Sequence, residues 1–328
     1  MSANSETRGR KGRASSYSPL AASGRRFGLY LAAPATIAVV VLVGGPALLT
    51  IWNSLFEVTV RENFIVCGGA GSVCEWTGLD NYLAVFNSPN FQHSLSVTLK
   101  YTFGFTAIAT LLGLGFALLL NVSFRFQWLG RTLLIVPWAA PWLMVGIMWK
   151  WFIDANVGAL NGFLFQVGLI DEYVPWLGNP DAALFFTILA GAWRQASLSG
   201  LLFLAALQTI PQELPEAATV DGANARQRFR YITLPWLLPV LLVVLLTNVI
   251  LGFLMFDIIF IMTDGGPGNA TQTLSMLMFR LFFNFSNWGA GSALAVIIGL
   301  VAFGVGLIFV RILYSRDSGA STHAGRGS

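Results

Sequence analysis

Charge is scarce in this chain: only 10% of its 328 residues are Asp, Glu, Lys or Arg, against roughly a quarter in an ordinary soluble domain. Together with 55% hydrophobic residues and a mean hydropathy of +0.69, that deficit excludes a soluble globular fold. Lysine occurs three times, as Lys11, Lys100 and Lys150. None stands in the glycine-rich G-x-x-x-x-G-K-[ST] context that holds nucleotide phosphates, so any ATP hydrolysis must belong to another polypeptide. His93, His323, Cys67 and Cys74 are not placed to form a four-coordinate metal site, and no metal is expected. Inside the apolar stretches Asp257 is the sole acid and histidine is missing. No carboxylate pair, His and Ser combination or facing ligand set is therefore available for intramembrane catalysis. A clustered basic surface for nucleic acid is likewise absent.

What the chain has in abundance is long apolar runs. Six windows, roughly 28–54, 95–120, 132–152, 182–208, 236–263 and 288–314, each approach the ~20 residues that cross the hydrocarbon layer as a helix. The alternating pattern of lipid-facing barrel strands is missing, so the expectation is an all-α, polytopic membrane protein with six transmembrane helices. The organisation follows as a basic tail over 1–27, a membrane domain over 28–314 with a polar connector at 209–235, and a tail over 315–328. The first apolar window has full spanning length and reads as an uncleaved anchor. Arginine gathers before the first window, after the second (Arg125, Arg131) and after the fourth (Arg226, Arg228, Arg230), while the opposite loops hold Arg61 and Arg280. By the positive-inside rule both termini and the 209–235 connector face the cytoplasm of a multi-pass cell-membrane protein, with lipid as its surroundings. Cys67 and Cys74, in "CGGAGSVC", then lie outside, where a disulfide is compatible with the compartment.

The connector carries the most patterned stretch, "PQELPEAATVDGANARQRFRYITLP", Pro211 to Pro235. Pro215 suits a first helical turn and good helix formers follow it. Asp221-Gly222 is expected to break that helix, Asp221 to cap a second one, and Leu234-Pro235 to end it. Two short helices across a bend are too small to bury their own faces, and they point to a partner.

The spacing of Glu216-Ala217-Ala218, Asp221-Gly222-Ala223, Phe229, Ile232 and Leu234-Pro235 resembles the EAA loop of permease subunits of binding-protein-dependent ABC importers. "LLIVPWAAPWLMVGIMWKWFIDANVGALN" and "FLMFDIIFIMTDGGPGNATQT" resemble the third and fifth spans of the carbohydrate branch, closest to the larger permease subunits of maltose-like and glycerophosphate-like importers. The resemblance covers residues 28–314 and implies a type I ABC importer permease fold. It also implies a homologous second permease, two ATP-binding subunits that hold ATP and Mg, an external solute-binding protein and a sugar-type solute, with no cofactor in this chain. Glu216 would contact the ATPase, Ala217 and Ala218 would permit close approach, and Gly222 would supply the bend. The maltose-type member has two further N-terminal spans and a large external domain without counterpart here, so contacts with the binding protein are expected on shorter loops.

Counting from the shared proline and GGP landmarks, the resemblance places Trp138, Trp142, Gly191, Arg194, Gln195, Leu198, Phe253 and Leu254 along the solute path. Trp138 and Trp142, four apart, are expected on one helical face, as are Phe253, Phe256 and Asp257. Aromatic faces suit sugars, but interfacial packing explains tryptophans equally well. Arg194 and Asp257 either face a cavity or pair with each other. Arg194 and Gln195 depart from the family pattern, and a basic residue there would suit a phosphate or carboxylate. A different class remains open from the residues: a secondary carrier in which Asp257 senses protons.

Overall fold

Proline marks one break in the helices of this chain, at Ala140–Pro141, while Pro46 and Pro235 follow widened turns. The computed structural model describes residues 30–59, 73–122 and 125–324, in two compact units, residues 1–49 and 50–328. The described part of the first unit is the apolar helix α1 (Tyr30–Asn53), whose last residues belong to the second. A π turn at Val40–Gly44 precedes Pro46 in α1. Proline lacks an N–H and its ring clashes with the carbonyl four residues back, and a widened turn accommodates both defects.

The second unit opens with a small antiparallel hairpin, β1 (Phe56–Thr59) and β2 (Val73–Trp76), pairing Phe56 with Trp76 and Val58 with Cys74. This is the one departure from the all-helical expectation among the described residues. Its strands are four residues each, rich in β-branched and aromatic side chains, and too short to show a period. Cys74 is disulfide-bonded; Cys67 lies outside the described residues.

The helices that follow are α2 (Asp80–Asn87), α3 (Pro89–Asn121), α4 (Gln127–Ala139), α5 (Trp142–Phe152), α6 (Ala159–Gln166) and α7 (Pro180–Leu207). After α7 come α8 (Glu213–Val220), α9 (Ala225–Phe253), α10 (Asp257–Met262), α11 (Leu274–Asn284) and α12 (Trp288–Ala324). Five of them, α1, α3, α7, α9 and α12, are long and apolar enough to cross a membrane, and the bent pair α4/α5 brings the total to six if it counts as one span.

Two windows therefore differ from the sequence expectation. The 132–152 window is two helices meeting at 101°. Pro141 drives the residue before it out of helical space, and Ala140 sits at φ −72°, ψ 135°. The 236–263 window stops at Phe253, continues through the non-helical Leu254–Phe256, and resumes as α10. At the other end α9 begins eleven residues earlier than that window, because Leu234-Pro235 does not end the helix. A π turn at Phe229–Thr233, closed by the Leu234 N–H on the Phe229 carbonyl, carries the helix past Pro235.

α7 is the central element: 61% of its most apolar window is buried, against 33% for the corresponding window of α3 and 17% for α12. Small residues let the neighbours approach it closely. A Cβ on Gly113 of α3 would lie 2.6 Å from the Ser199 Cβ of α7, and one on Gly191 of α7 would lie 2.8 Å from the Tyr101 hydroxyl of α3. Lipid offers no hydrophobic drive between helices, so such close packing is what holds them. Tyr101, Phe105, Val145, Ile258 and Ile259 form the core where α3, α5, α7 and α10 meet. Ala117, Leu134, Phe203 and Val244 form another where α3, α4, α7 and α9 meet.

Candidate functional site

Two regions take shape from the residues singled out by sequence: the connector α8–α9, and the breaks in the third and fifth spans around Arg194. In the connector, α8 ends in a reversal built from the motif itself. Gly222 adopts φ +81°, the left-handed region that glycine tolerates. The Gly222 N–H reaches the Thr219 carbonyl at 3.1 Å and the Ala223 N–H reaches the Ala218 carbonyl at 2.8 Å. This pair of bonds is the Schellman closure, with Ala218 and Ala223 as its facing apolar positions. Asp221 does not cap the next helix; it is the last residue of the α8 turn, its N–H bonded to Ala217. Asn224 caps α9 instead, in a reciprocal capping box with Gln227 at 2.9 and 2.8 Å. The signal was present in the sequence as Asn-x-x-Gln, three residues after the more conspicuous Asp-Gly. Arg228 then ties the two helices together, donating to Thr219 Oγ1 at 3.0 Å and to the Ala223 carbonyl at 3.1 Å.

This leaves a division among the motif residues. Ala218, Asp221, Gly222 and Ala223 are accounted for by the bend, and Phe229, Leu234 and Pro235 by the π turn and the run into α9. Glu216 and Ala217 are exposed, and among the described residues no hydrogen bond or ion pair engages the Glu216 carboxylate. Val220, at the tip, is 88% exposed. The bend thus presents, among the described residues, an unpaired acid, a small residue and an apolar tip.

In the membrane domain the structure separates residues that the sequence spacing groups. Trp138 is in α4 and Trp142 in α5, so they do not share a helical face; the Ala140–Pro141 break lies between them. Arg194 of α7 reaches across to that break. Its Nε donates to the Ala140 carbonyl at 2.8 Å, its Nη2 to the Trp138 carbonyl at 3.0 Å, and its guanidinium carbon lies 3.9 Å from the Trp142 ring centroid. The last carbonyls of α4 have no helical partner and carry the negative end of its dipole, so a cation with a planar fork of donors fits there.

Arg194 and Asp257 do not form an ion pair; among the described residues the guanidinium's partners are these two carbonyls and the indole. Asp257 opens α10, where a carboxylate favours the helix N-terminus. The break at Leu254–Phe256 removes Phe253 from the face of Phe256 and Asp257. Phe253 is buried among Phe91, Leu274 and Leu294, whereas Leu254 is exposed.

Gly191 and Gln195 do not face an open path. Gly191 is the contact point for Tyr101 and Phe105. Gln195 is buried, and its Nε2 donates to Asn248 Oδ1 at 2.9 Å. Asn248 Nδ2 in turn donates to Thr110 Oγ1 at 3.0 Å and Ser199 Oγ at 3.2 Å. This network joins α3, α7 and α9 in the middle of the apolar bundle. Asn248 was missed from sequence, although a lone amide inside the run "LLVVLLTNVILGF" is a visible signal. Leu198 is partly buried on the same helix as Arg194. The "TDGGPGNAT" loop is clamped: Arg280 donates to Asn269 Oδ1 at 2.7 Å, to the Asp264 carbonyl at 2.6 Å and to Gln272 Oε1, and His93 Nε2 lies 3.0 Å from the Asn269 carbonyl.

Residues 109–316 match the family described as binding-protein-dependent transport system inner membrane component. The chain is 35% identical over 289 residues to the trehalose/maltose transport system permease protein MalF of Thermococcus litoralis, covering 88% of this chain and 93% of that one. It is 35% identical over 293 residues to the sulfoquinovosyl glycerol transport system permease protein SmoG of Agrobacterium fabrum, covering 89% and 92%. Its fold resembles a chain in the crystal structure of a bacterial ABC transporter involved in import of the acidic polysaccharide alginate, with a TM-score of 0.74 at 21% identity, covering 91% of this chain and 99% of that one. The bent third span, the motif-built connector and the matched 109–316 region lead to one conclusion: the chain belongs to the family of inner membrane components of binding-protein-dependent transport systems.

Proposed function

We propose that this chain is the translocation subunit of an ATP-driven importer that moves a sugar or sugar-derived solute delivered by an external binding protein. The observation that carries the reading is the exposed Glu216-Ala217 face, unpaired among the described residues, on a bend closed by the motif's own backbone bonds. A second permease of the same family would complete the path, and two partner subunits would bind ATP and Mg and hydrolyse the nucleotide. No bond is made or broken in this chain.

Closure of the ATP-binding subunits moves α8, and because α9 is continuous from Ala225 to Phe253 the displacement enters the fifth span as a rigid body. The solute passes Trp138, Trp142, Arg194, Leu198, Leu254 and Asp257, which surround the breaks in the third and fifth spans. Gly191, Gln195 and Phe253 support that path through packing. The connector and both termini are on the cytoplasmic side. The sugar-type solute is supported by the named substrates of the two relatives, sugars in one and a sulfosugar glycoside in the other.

The test is uptake into proteoliposomes containing the assembled transporter with its binding protein. Uptake should stop when ATP hydrolysis is blocked while a proton gradient is maintained. Uptake that continues under those conditions indicates the proton-linked carrier and rejects this proposal.

A further inference from the structure

Between the connector and the neighbouring ends of the spans lies a cleft of about 420 Å³. Its polar lining comes from five places: Asn121 at the end of α3, Arg131 in α4, Gln208 after α7, Gln212 before α8, and Arg228 and Thr233 in α9. Leu118, Leu207, Ile210 and Ile232 make the rest of the wall mostly apolar. Two arginines therefore line a half-enclosed space, and among the described residues its lining contains no carboxylate.

The two arginines are not equivalent. Arg228 has a structural task, holding Thr219 and Ala223 across the bend. Arg131 has none: its Nε is buried without a hydrogen-bond partner, and no hydrogen bond or ion pair engages the rest of its guanidinium among the described residues. Leaving a buried donor unsatisfied costs more than a neutral hydrogen bond returns, so the Arg131 Nε favours an acceptor that enters the cleft. The lining amides and the Thr233 hydroxyl add neutral donors around the same space.

We infer that this cleft is an anion site that takes a phosphate group, with Arg131 as the principal ligand. Tetrahedral phosphate oxygens match the planar donor fork of arginine. The cleft lies at the ends of α3, α4, α7 and α9, the level at which phospholipid headgroups meet a spanning bundle. A phosphate from a lipid headgroup and one free in solution present the same chemistry. Either one bridges the connector, through Gln212 and Arg228, to the bundle, through Asn121, Arg131 and Gln208. The site does not depend on the transport reading; an effect of its ligand on coupling does.

The experiment uses the assembled transporter. Its thermal unfolding is followed while inorganic phosphate is titrated in detergent, and again in nanodiscs of phosphatidylcholine with and without phosphatidylglycerol, with retained lipid read by native mass spectrometry. Phosphate or phosphatidylglycerol should stabilise the wild type. Arg131→Gln should weaken that response about tenfold, in the range for losing a charged hydrogen-bond partner, and Arg131→Lys should recover part of it. Gln208→Leu, which leaves both arginines in place, should weaken it less and guards against misfolding of the first variant. A response to phosphatidylglycerol alone assigns the ligand to lipid, and a response to inorganic phosphate alone assigns it to solution.

Three results overturn the inference: no stabilisation by either probe, an equal response in wild type and Arg131→Gln, or a loss of subunit assembly in Arg131→Gln with no phosphate effect. The last means that a carboxylate of a neighbouring subunit fills the cleft. ATP hydrolysis stimulated by the binding protein, measured in the same samples, reports on the transport reading separately.

Discussion

The guanidinium carbon of Arg194 lies 3.9 Å from the Trp142 ring centroid, while its Nε bonds the carbonyl of Ala140, two residues before that indole. A charge in the middle of an apolar helix is thereby accommodated, among the described residues, without a counter-ion. Two orphan carbonyls and an aromatic face take the place of a carboxylate, and they exist only because Pro141 breaks the third span. The bend and the arginine depend on each other.

Substitution should expose this dependence. Arg194→Ala removes two charge-assisted bonds and one cation–π contact, and is expected to cost about 2–4 kcal/mol after partial compensation by water. Arg194→Lys keeps the charge but lacks the fork that spans both carbonyls, and should recover less than half of the loss. Thermal melting of the assembled transporter checks both, and equal stability of the wild type and the alanine variant contradicts the clamp.

Packing of α3 on α7 makes a second prediction. Any side chain at Gly113 meets the Ser199 Cβ at 2.6 Å, the Gly200 nitrogen at 2.9 Å and the Ala196 carbonyl at 3.0 Å, two of which are backbone atoms that cannot rotate away. Gly113→Ala should destabilise by about 1–3 kcal/mol, and Gly113→Leu should prevent accumulation of the protein. Gly115, whose Cβ position is open, is the control, and Gly115→Ala should melt like the wild type.

The segment between α5 and α7 depends on one amide. Asn161 is fully buried and makes four bonds: its Nδ2 donates to the Asp154 and Val174 carbonyls at 3.1 and 3.0 Å, and its Oδ1 accepts from the Val174 N–H and Trp176 Nε1 at 3.2 and 2.9 Å. Asn161→Ala should cost about 2–4 kcal/mol because it leaves buried donors orphaned. Hydrogen exchange should localise the loss to residues 154–176, and uniform exchange across the chain contradicts the assignment.

Asp154 adds a pH dependence to that segment. Backbone N–H groups of Asn156 and Val157 donate to its carboxylate and hold its pKa below the usual value. A pKa depressed by folding means that the turn is stabilised at pH above the ordinary aspartate range, about 3.9, and that the stabilisation disappears as pH falls through the depressed value. Protection of the Asn156 and Val157 amides, with exchange corrected for its intrinsic rate at each pH, should therefore fall only in acid, and in Asp154→Asn that protection should not change with pH.

Much of this was legible in the sequence, for physical reasons that differ by region. Apolar windows of spanning length depend only on composition, so α3, α7 and α12 fall where expected. The Glu216 to Pro235 pattern identified the connector, and Gly222 bends it as the resemblance implied. Breaks were harder. Helical spacing assigns Trp138 and Trp142 to one face only if the helix continues through Pro141, and a 101° bend falls there instead. The opposite error occurred at Pro235, where a π turn absorbs the defect. Gln195 and Asn248 meet across 53 residues, a pairing that local pattern does not contain.

Glu216 tests the account most directly. The side chain is exposed and, among the described residues, unpaired, so Glu216→Ala should change folding stability by no more than about 0.5 kcal/mol. Uptake per ATP hydrolysed, measured in proteoliposomes with the complete transporter and its binding protein, should fall about tenfold, equivalent to ~1.4 kcal/mol of lost coupling. An unchanged ratio in a normally assembled Glu216→Ala complex contradicts the claim that nucleotide turnover enters this chain through the bend at Gly222.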